Sequence, residues 1–213
     1  MSSIESAAAP LDLATDGSVR GRLLDAMLTC IGDRGYRDAT VADVVRVART
    51  SRRTFYQEFD DKQDCFVELL RVANEATIRH IVDRIDAAAP WRTQIRQAVT
   101  AYAAINDSRR ALTLSWIRDL PALGAAATPT SSVQQMKAEA MESWITLFTD
   151  ITSTEVMLAA GITPMSREIA VVLWGGIREL TANAVEAGQP LAAIVEPAVT
   201  ACVALVRAER ESA

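Results

Sequence analysis

The chain has 213 residues and a mass of 23.1 kDa, long enough to bury a core without disulfides or metals. Half of its residues are apolar, 23% are charged and only 5% are aromatic, which excludes disordered, collagen-like and low-complexity chains and favours helices over strands. The net charge of −5 argues against nucleic-acid binding over the whole surface.

Cysteine and histidine are too sparse for several classes of site. Cys30, Cys65 and Cys202 lie far apart in apolar helical stripes, so we expect buried free thiols. The single histidine, His80, makes a zinc site or a histidine-dependent triad hard to assemble. Residues 1–9 have no basic region and no apolar run of signal length, so we expect no export. The longest apolar stretch, residues 169–177, is too short to span a bilayer. We predict a cytoplasmic protein without membrane span, metal or cofactor.

The N-terminal part of the chain begins with an arm and an amphipathic helix. Residues 1–17 are rich in Ser, Ala and Asp without periodicity, and we expect a mobile arm. From Ser18 a helical stripe runs to Gly32 and Gly35. The stripe contains Val19, Leu23, Met27 and Ile31.

Two short helices follow, with three residues between them. The first covers residues 41–48 and opens with a capping box formed by Thr40 and Asp43. The second covers residues 52–59 and turns two aromatic side chains inwards, Phe55 and Phe59. Two short helices joined by a tight turn and braced by a preceding helix are typical of a helix-turn-helix, which reads DNA with its second helix.

The outer face of the second short helix carries groups that suit DNA. Arg52 and Arg53 can each bind guanine through two hydrogen bonds, and Gln57 can bind adenine. Residues 17–64 hold nine Lys/Arg and eight Asp/Glu, whereas the rest of the chain holds 13 and 19. Hydroxyl and ammonium groups nearby suit phosphate. The predicted DNA-binding residues are Thr40, Arg49, Ser51, Arg52, Arg53, Thr54, Tyr56, Gln57 and Lys62.

The remainder of the chain also has helical periodicity, with no convincing strand or repeat. A long helix capped by Asp60 is predicted to run to Pro90. Pro121 is expected to stop a later helix, and Pro197 to kink the last one. The further predicted helices cover residues 91–106, 108–120, 132–151, 164–188 and 191–209. The predicted fold class is therefore all-α, with about nine helices.

The spacing around the helix-turn-helix resembles the DNA-binding domain of the tetracycline-repressor (TetR) family. The residues that carry the resemblance are Gly35-Tyr36-x-x-Ala39-Thr40-Val41-x-Asp43-Val44 and Ala48-x-x-Ser51-x-x-Thr54-Phe55-Tyr56-x-x-Phe59-x-x-Lys62. The resemblance implies a DNA-binding domain over residues 18–64 and a ligand-binding and dimerisation domain over residues 65–213. It implies a homodimeric repressor that leaves a pseudopalindromic operator when a small molecule binds.

Two positions depart from the family pattern. Arg49 stands in a turn that usually contains glycine, and a positive φ there would cost about 1 kcal/mol, although an arginine can also contact phosphate. Glu58 would repel phosphate unless an arginine neutralises it. These residues leave an alternative open, a helical protein that binds or sequesters a small molecule and no longer binds DNA. No catalytic motif occurs at usable spacing, so no enzyme is predicted.

The C-terminal helices carry an aromatic and sulfur-containing group that we expect to line the ligand cavity. It consists of Trp91, Tyr102, Trp116, Met141, Trp144, Phe148 and Trp174. Such a lining favours a small, mostly apolar effector. The candidate polar contacts are Asn106, Arg118, Asp119 and Asn183.

A homodimer interface is predicted over residues about 164–209. The segment 169–177 is apolar almost all round and must be covered on more than one side, and Gly175 and Gly176 allow a partner helix to approach. The last helix adds further apolar residues, which are Ala198, Ala201, Cys202, Leu205 and Val206. Two helices from each copy would form a four-helix interface with two-fold symmetry.

Overall fold

The structure, a computed structural model, describes residues 17–125 and 131–212, and every regular element in those ranges is helical. Most of the predicted arm, residues 1–16, lies outside the described residues. The elements are α1 (Val19–Asp38), α2 (Val41–Val47), α3 (Arg52–Glu58), α4 (Lys62–Val82), α5 (Trp91–Asp107), α6 (Arg110–Leu114), a π-turn (Ser115–Asp119), α7 (Leu120–Ala125), α8 (Ser132–Thr152), α9 (Glu155–Ala159), α10 (Arg167–Glu186), a 3-10 turn (Leu191–Ile194) and α11 (Val195–Ser212). The predicted all-α class is confirmed.

The three cysteines are buried and unpaired, as the sequence indicates. No helix in the two described ranges is long and apolar enough to cross a membrane.

The helix-turn-helix forms where the sequence predicts it. Thr40 Oγ1 accepts a hydrogen bond from the Asp43 amide at 3.2 Å, and Asp43 Oδ2 accepts one from the Thr40 amide at 3.2 Å, which completes the capping box. Ser51 caps α3 by accepting from the Thr54 amide at 3.0 Å. Phe55 and Phe59 are buried beneath α3 and anchor it to the core.

Arg49 adopts the left-handed backbone conformation, with a φ of 51°. The Thr50 amide donates to the Val45 carbonyl at 2.9 Å, and the Arg49 amide donates to the Arg46 carbonyl at 3.3 Å. These two bonds define a Schellman motif, whose left-handed position is usually glycine. The turn therefore imposes the strained conformation on an arginine, at about 1–2 kcal/mol.

The start of α4 holds the end of α1. Lys62 Nζ donates to the carbonyl oxygens of Tyr36 at 3.0 Å, Arg37 at 3.3 Å and Ala39 at 2.9 Å. The same ammonium lies 4.4 Å from the centre of the Tyr36 ring. These contacts satisfy carbonyls at the end of α1, where Gly35 (φ 80°, ψ 161°) has already broken the helical geometry.

Both predicted ends of α4 are wrong. The N-cap is Asp61, which accepts from the Asp64 amide at 2.8 Å, rather than Asp60. The helix ends at Val82 instead of continuing to Pro90. Beyond it the turn is stabilised from α5, because buried Gln94 donates to the carbonyls of Ala87 at 3.1 Å and Ala89 at 2.9 Å.

Pro121 does not stop its helix, contrary to the prediction. The π-turn precedes it, and the Leu120 amide bonds to the Ser115 carbonyl, five residues back. A proline in a regular helix clashes with the carbonyl four residues earlier, and the wider π-turn relieves that constraint. Residues 110–125, named here the linking stretch, therefore continue helically through Pro121.

Three further features differ from the prediction. Helix α9 is not predicted by the sequence pattern. Helix α10 is capped by Ser166 rather than opened by Thr163-Pro164, because the Met165 amide is tied to Thr152 Oγ1 at 2.8 Å. Pro197 lies in the first turn of α11, where a helix needs no amide donor, so the predicted kink is wrong.

The buried apolar residues form two clusters. The first, named here the DNA-domain core, joins α1–α4 to residues of the linking stretch and α8, including Leu112, Leu120 and Met136. The second surrounds Trp144 and Trp174 and draws on α5, α8, α10 and α11. The linking stretch thus packs on the helix-turn-helix although it lies some 50 residues after it in the chain.

We expect Lys62→Met to lower the free energy of unfolding by about 2 kcal/mol, because carbonyls at the end of α1 lose a charged donor. Urea denaturation followed by circular dichroism measures the change. The matched control is Lys137→Met, since the chain's other lysine has no hydrogen bond or ion pair with any described residue. An equal change in both variants would contradict the role assigned to Lys62.

Candidate DNA-binding surface and ligand cavities

Helix α3 presents a row of polar side chains to solvent. Arg52, Arg53, Tyr56 and Gln57 are exposed and share one face, being spaced at i, i+1, i+4 and i+5. Arg52, Arg53 and Gln57 have no hydrogen bond or ion pair with the residues that the structure describes. Tyr56 is 57% exposed, with its ring against the edge of Phe55. These groups are free to bind an external partner.

The other predicted DNA contacts have structural roles as well. Thr40 and Ser51 cap α2 and α3, and the hydroxyl of Thr54 lies 2.9 Å from that of Ser51. Arg49 is exposed beside α3. Lys62 is different, because its ammonium is directed at three backbone carbonyls and away from the exposed residues of α3 that could meet phosphate.

Glu58 is an acidic residue at the end of α3, next to the exposed polar face of that helix. Arg20 Nη1 donates to the Glu58 backbone carbonyl at 2.7 Å, and the Arg20 guanidinium lies 4.4 Å from the centre of the Phe59 ring. The Glu58 carboxylate itself has no ion pair with any described residue. Arg20 therefore fixes the end of α3 without neutralising that carboxylate.

Two cavities lie within the C-terminal helices. One is lined by polar and aromatic groups, including Asn74, Asn106, Arg109, Thr113 and Arg178, and is named here the arginine cavity. Its volume is about 50 Å³, which is room for a few water molecules. A larger ligand would have to move the surrounding helices apart.

The arginine cavity contains two guanidinium groups with unsatisfied buried donors. Arg109 Nη2 and Arg178 Nε are shut off from solvent and find no hydrogen-bond acceptor among the described residues. Among the described residues, no Asp or Glu lines this cavity. Burial lowers the pKa of Arg109 to about 10 and also lowers the pKa of Arg178, in accordance with the unfavourable desolvation of a cation. The site therefore favours an anion.

The second cavity, named here the apolar cavity, is lined almost entirely by aliphatic and aromatic side chains. They include Ile81, Val99, Leu147, Phe148 and Met165. Its volume is about 60 Å³. Such a lining can hold a hydrocarbon group but provides nothing to bind a charge.

Three aromatic residues, named here the aromatic partition, line both cavities and separate them. Trp144 and Trp174 stack with ring centres 3.8 Å apart and planes 17° apart, and the Tyr102 ring meets both edge-on. Trp144 Nε1 donates to Asn74 Oδ1 at 2.8 Å, and the Tyr102 hydroxyl lies 3.0 Å from that of Thr181. The partition is therefore fixed to α4 and α10.

Five of the seven aromatic and methionine residues predicted to line a pocket do so: Tyr102, Trp116, Trp144, Phe148 and Trp174. Trp91 and Met141 line neither cavity. Trp91 is half-buried beneath the Arg92 guanidinium, and Met141 packs against the core. Both lie on amphipathic helices, where the sequence pattern does not distinguish a cavity wall from ordinary packing.

Among the predicted polar groups, only Asn106 lines a cavity. Arg118 pairs with Glu186 at 2.6 Å, Asp119 pairs with Arg37 at 3.0 Å, and Asn183 is exposed. The sequence analysis missed Arg109 and Arg178. A signal existed for Arg178, since it follows Trp174 by four residues and must share its helix face.

Helices α10 and α11 leave a partly apolar surface exposed. Val171, Val172 and Leu180 are exposed on α10, Val172 by 62%. A Cβ added at Gly175 or Gly176 would meet nothing within 4 Å. The predicted contribution of α11 needs correction, because Ala198, Cys202 and Val206 are buried within the subunit, whereas Ala201 is exposed.

Comparison with known proteins agrees with this architecture. Residues 23–69 match the model of the bacterial regulatory proteins of the tetR family. The HTH-type transcriptional regulator HbdR of Aromatoleum sp. (strain CIB) is 27% identical over 106 residues, which span 50% of this chain and 46% of HbdR. The matched segment thus spans less than half the length of that relative.

Solved structures share the fold over most of the chain. The fatty acid degradation regulator FadR of Bacillus halodurans has a TM-score of 0.70 at 16% identity, covering 86% of this chain and 93% of its own. FadR of Bacillus subtilis, in complex with stearoyl-CoA, has a TM-score of 0.70 at 15% identity, covering 85% and 96%. Regulatory protein TetR of Rhodobacter sphaeroides has a TM-score of 0.65 at 17% identity, covering 86% and 98%.

The fold and the motif define a helix-turn-helix transcriptional regulator with a C-terminal helical domain. Residues 23–69 match the DNA-binding part of the tetR family, and the rest of the chain shares the fold of solved regulators. Regulators of this family are transcription factors and not enzymes, in agreement with the prediction.

We expect Arg109→Met and Arg178→Met each to raise the free energy of unfolding of the ligand-free protein by about 1 kcal/mol or more. A buried donor without an acceptor costs about 1–3 kcal/mol, and methionine removes it while keeping an apolar stem. Urea denaturation measures the change. Arg118→Met is the control, since Arg118 is exposed and paired with Glu186, and should change stability by less than about 0.5 kcal/mol. Destabilisation by both cavity variants would contradict the assignment.

Proposed function

We propose that this protein is a ligand-released repressor that binds a pseudopalindromic DNA operator as a homodimer. The observation that carries the proposal is the row of unpaired polar side chains on α3, Arg52, Arg53 and Gln57. Arginine reads guanine and glutamine reads adenine at the edges exposed in the major groove. The short helix α3 is held by Phe55 and Phe59 from behind, which leaves this face for the groove.

Phosphate contacts would come from groups around the recognition helix. Tyr56 and Arg49 are exposed beside it, and Thr40 and Ser51 sit at the starts of α2 and α3. Such contacts fix the position of the protein on the duplex without reading sequence. An arginine in the strained position at residue 49 is consistent with a contact that offsets its conformational cost.

Dimerisation would use the exposed face of α10. Val172 and Leu180 are exposed aliphatic residues on one face of α10, with Gly176 between them. The open space at Gly175 and Gly176 allows close approach of a second α10 across a two-fold axis. Two copies joined in this way would present their α3 helices to successive major grooves, about 34 Å apart.

Release by ligand would pass through the linking stretch. Trp116 both lines the arginine cavity and packs against the DNA-domain core. Three residues further on, Asp119 binds Arg37 Nε at 3.0 Å near the end of α1. Because the cavities hold only a few water molecules, a bound effector would displace the linking stretch and with it the helix-turn-helix. Ligand and operator would then weaken each other's binding reciprocally.

The likeness to FadR supports an effector with an apolar part. FadR of Bacillus subtilis, which has the same fold, was solved with stearoyl-CoA. The apolar cavity offers a lining suited to a hydrocarbon group. The proposed effector is accordingly a small molecule that buries hydrocarbon between α4, α5, α8 and α10.

Selection of duplexes from a random pool at near-physiological salt tests DNA recognition. We expect a two-fold symmetric site with half-sites one helical turn apart. Arg53→Ala should weaken binding to that site about 5- to 150-fold, the equivalent of about 1–3 kcal/mol for one base contact, while the protein remains a folded dimer.

The control for this prediction is Arg79→Ala. Arg79 is exposed and lies about 25 Å along α4 from the start of that helix at Lys62. It should bind the selected duplex like the wild type. Recovery of no sequence above background would favour a ligand-sequestering protein, and an unchanged affinity of Arg53→Ala would contradict the recognition surface.

A further inference from the structure

The arginine cavity and the apolar cavity together make a site with one cationic end and one hydrocarbon end. We propose that the effector is an amphipathic organic anion. Its acid oxygens, carboxylate or phosphate, would bind Arg109 and Arg178, and its apolar tail would cross the aromatic partition into the apolar cavity. This inference rests on the proposed function, because it names the chemical class of the effector.

The unpaired donors are the first argument for an anion. Arg109 Nη2 and Arg178 Nε are buried in one cavity wall without an acceptor among the described residues. A guanidinium is always charged at neutral pH and binds carboxylate or phosphate oxygens through directed hydrogen bonds. An anion placed between these side chains would satisfy donors that the protein leaves open.

Neither cavity arginine has an ion pair with a described residue, although the charge of the neighbouring Glu179 partly offsets the lowering of the Arg178 pKa by burial. The lining of the arginine cavity contains neither Asp nor Glu in the part of the chain that the structure describes. Acidic residues on the same elements are paired with other arginines, since Asp107 pairs with Arg110 at 2.5 Å and both Glu179 and Glu186 pair with Arg118. The two cavity guanidiniums therefore remain available to a ligand, unlike the exposed arginines around them.

The neutral polar groups of the arginine cavity already have partners. Thr113 Oγ1 donates to the Asn106 carbonyl at 3.1 Å, and Asn106 Nδ2 donates to the Tyr102 carbonyl at 2.8 Å. Asn74 accepts from Trp144 Nε1. A neutral hydroxyl or amide ligand would thus gain little from them, and the arginines are the groups that discriminate.

The second cavity determines what the other end of the ligand must be. Thr152 is the one hydroxyl-bearing residue besides Tyr102 in its wall, and its hydroxyl already donates to the Phe148 carbonyl at 2.7 Å. The remaining wall is hydrocarbon, indole and sulfur. Water is a poor occupant of such a space, whereas an alkyl or aryl group gains about 25 cal/mol for each Å² of apolar surface buried.

The aromatic partition lies between the arginine cavity and the apolar cavity. Tyr102, Trp144 and Trp174 belong to both cavity walls, so a shift of the stacked indoles would join the cavities into one channel. Asn74, which holds Trp144, lies in the arginine cavity itself. A ligand that engages the arginines is therefore placed next to the hydrogen bond that keeps the partition closed.

Tryptophan fluorescence titration tests the inference directly, because Trp116, Trp144 and Trp174 line the cavities. The probes share one alkyl chain length and differ at the head: sodium decanoate, decyl phosphate, decanoyl-CoA and 1-decanol. We expect at least one anionic probe to bind tenfold or more tightly than decanol. Whichever anion binds most tightly identifies the source of the acid oxygens. Equal affinity for decanol, or binding of no probe, would overturn the inference.

Variants separate the arginine contacts from general hydrophobic binding. Arg109→Met and Arg178→Met should each weaken binding of the preferred anion tenfold or more and leave decanol within threefold. Arg118→Met, the same exchange outside the cavity, should leave both affinities unchanged. Undiminished anion binding by both cavity variants would overturn the inference even if the anion were preferred.

The duplex found by selection distinguishes this inference from the proposed function. Normal duplex binding with no preference for anions would refute the ligand class alone. Anion binding in a protein that binds no duplex would refute the proposed repressor while the ligand site stands.

Discussion

The packing of the linking stretch against the helix-turn-helix is the constraint on which the rest of the structure depends. Leu112 and Leu120 lie in the same apolar cluster as Phe55 and Phe66, although they follow them by some 50 residues. The same stretch supplies Leu112 and Trp116 to the wall of the arginine cavity. One short helical segment is thus shared by both sites, and its π-turn lets it pass Pro121 without breaking. A displacement at the cavity cannot be absorbed by a flexible connection, because the connection is itself core.

Unfavourable local features occur at the two proposed binding sites. Arg49 holds a left-handed backbone beside the recognition helix, and Arg109 and Arg178 hold buried donors without acceptors. By contrast, the end of α1 and the start of α2 are satisfied within the protein, by Lys62 and by the Thr40–Asp43 box. Departures from local optima are expected where an external partner completes the interaction. DNA phosphate at the first site and an anion at the second would be such partners.

Local spacing made the DNA-binding part predictable from the sequence. The capping box, the turn and the inward Phe55 and Phe59 depend on residues within one or two helical turns of one another. The end of α4, the passage through Pro121 and the carbonyl contacts of Lys62 depend on distant partners, and periodicity carries no record of them. The cavity was predicted only in part for the same reason. Aromatic stripes marked Trp144 and Trp174, but the unpaired state of Arg109 emerges only when no acidic residue is found opposite it in three dimensions.

The shared core is tested most directly by measuring whether a destabilising substitution in the helix-turn-helix also lowers the stability of the C-terminal helices. All four tryptophans lie between residues 91 and 174, and in a Trp116→Phe background the remaining three avoid the DNA-domain core. Phe55→Ala should remove about 3–5 kcal/mol from that core. If the linking stretch makes one cooperative unit, tryptophan fluorescence will report a lower urea midpoint for Phe55→Ala, coincident with the loss of helix by circular dichroism. An unchanged fluorescence midpoint with a separate, earlier loss of helix would contradict the account.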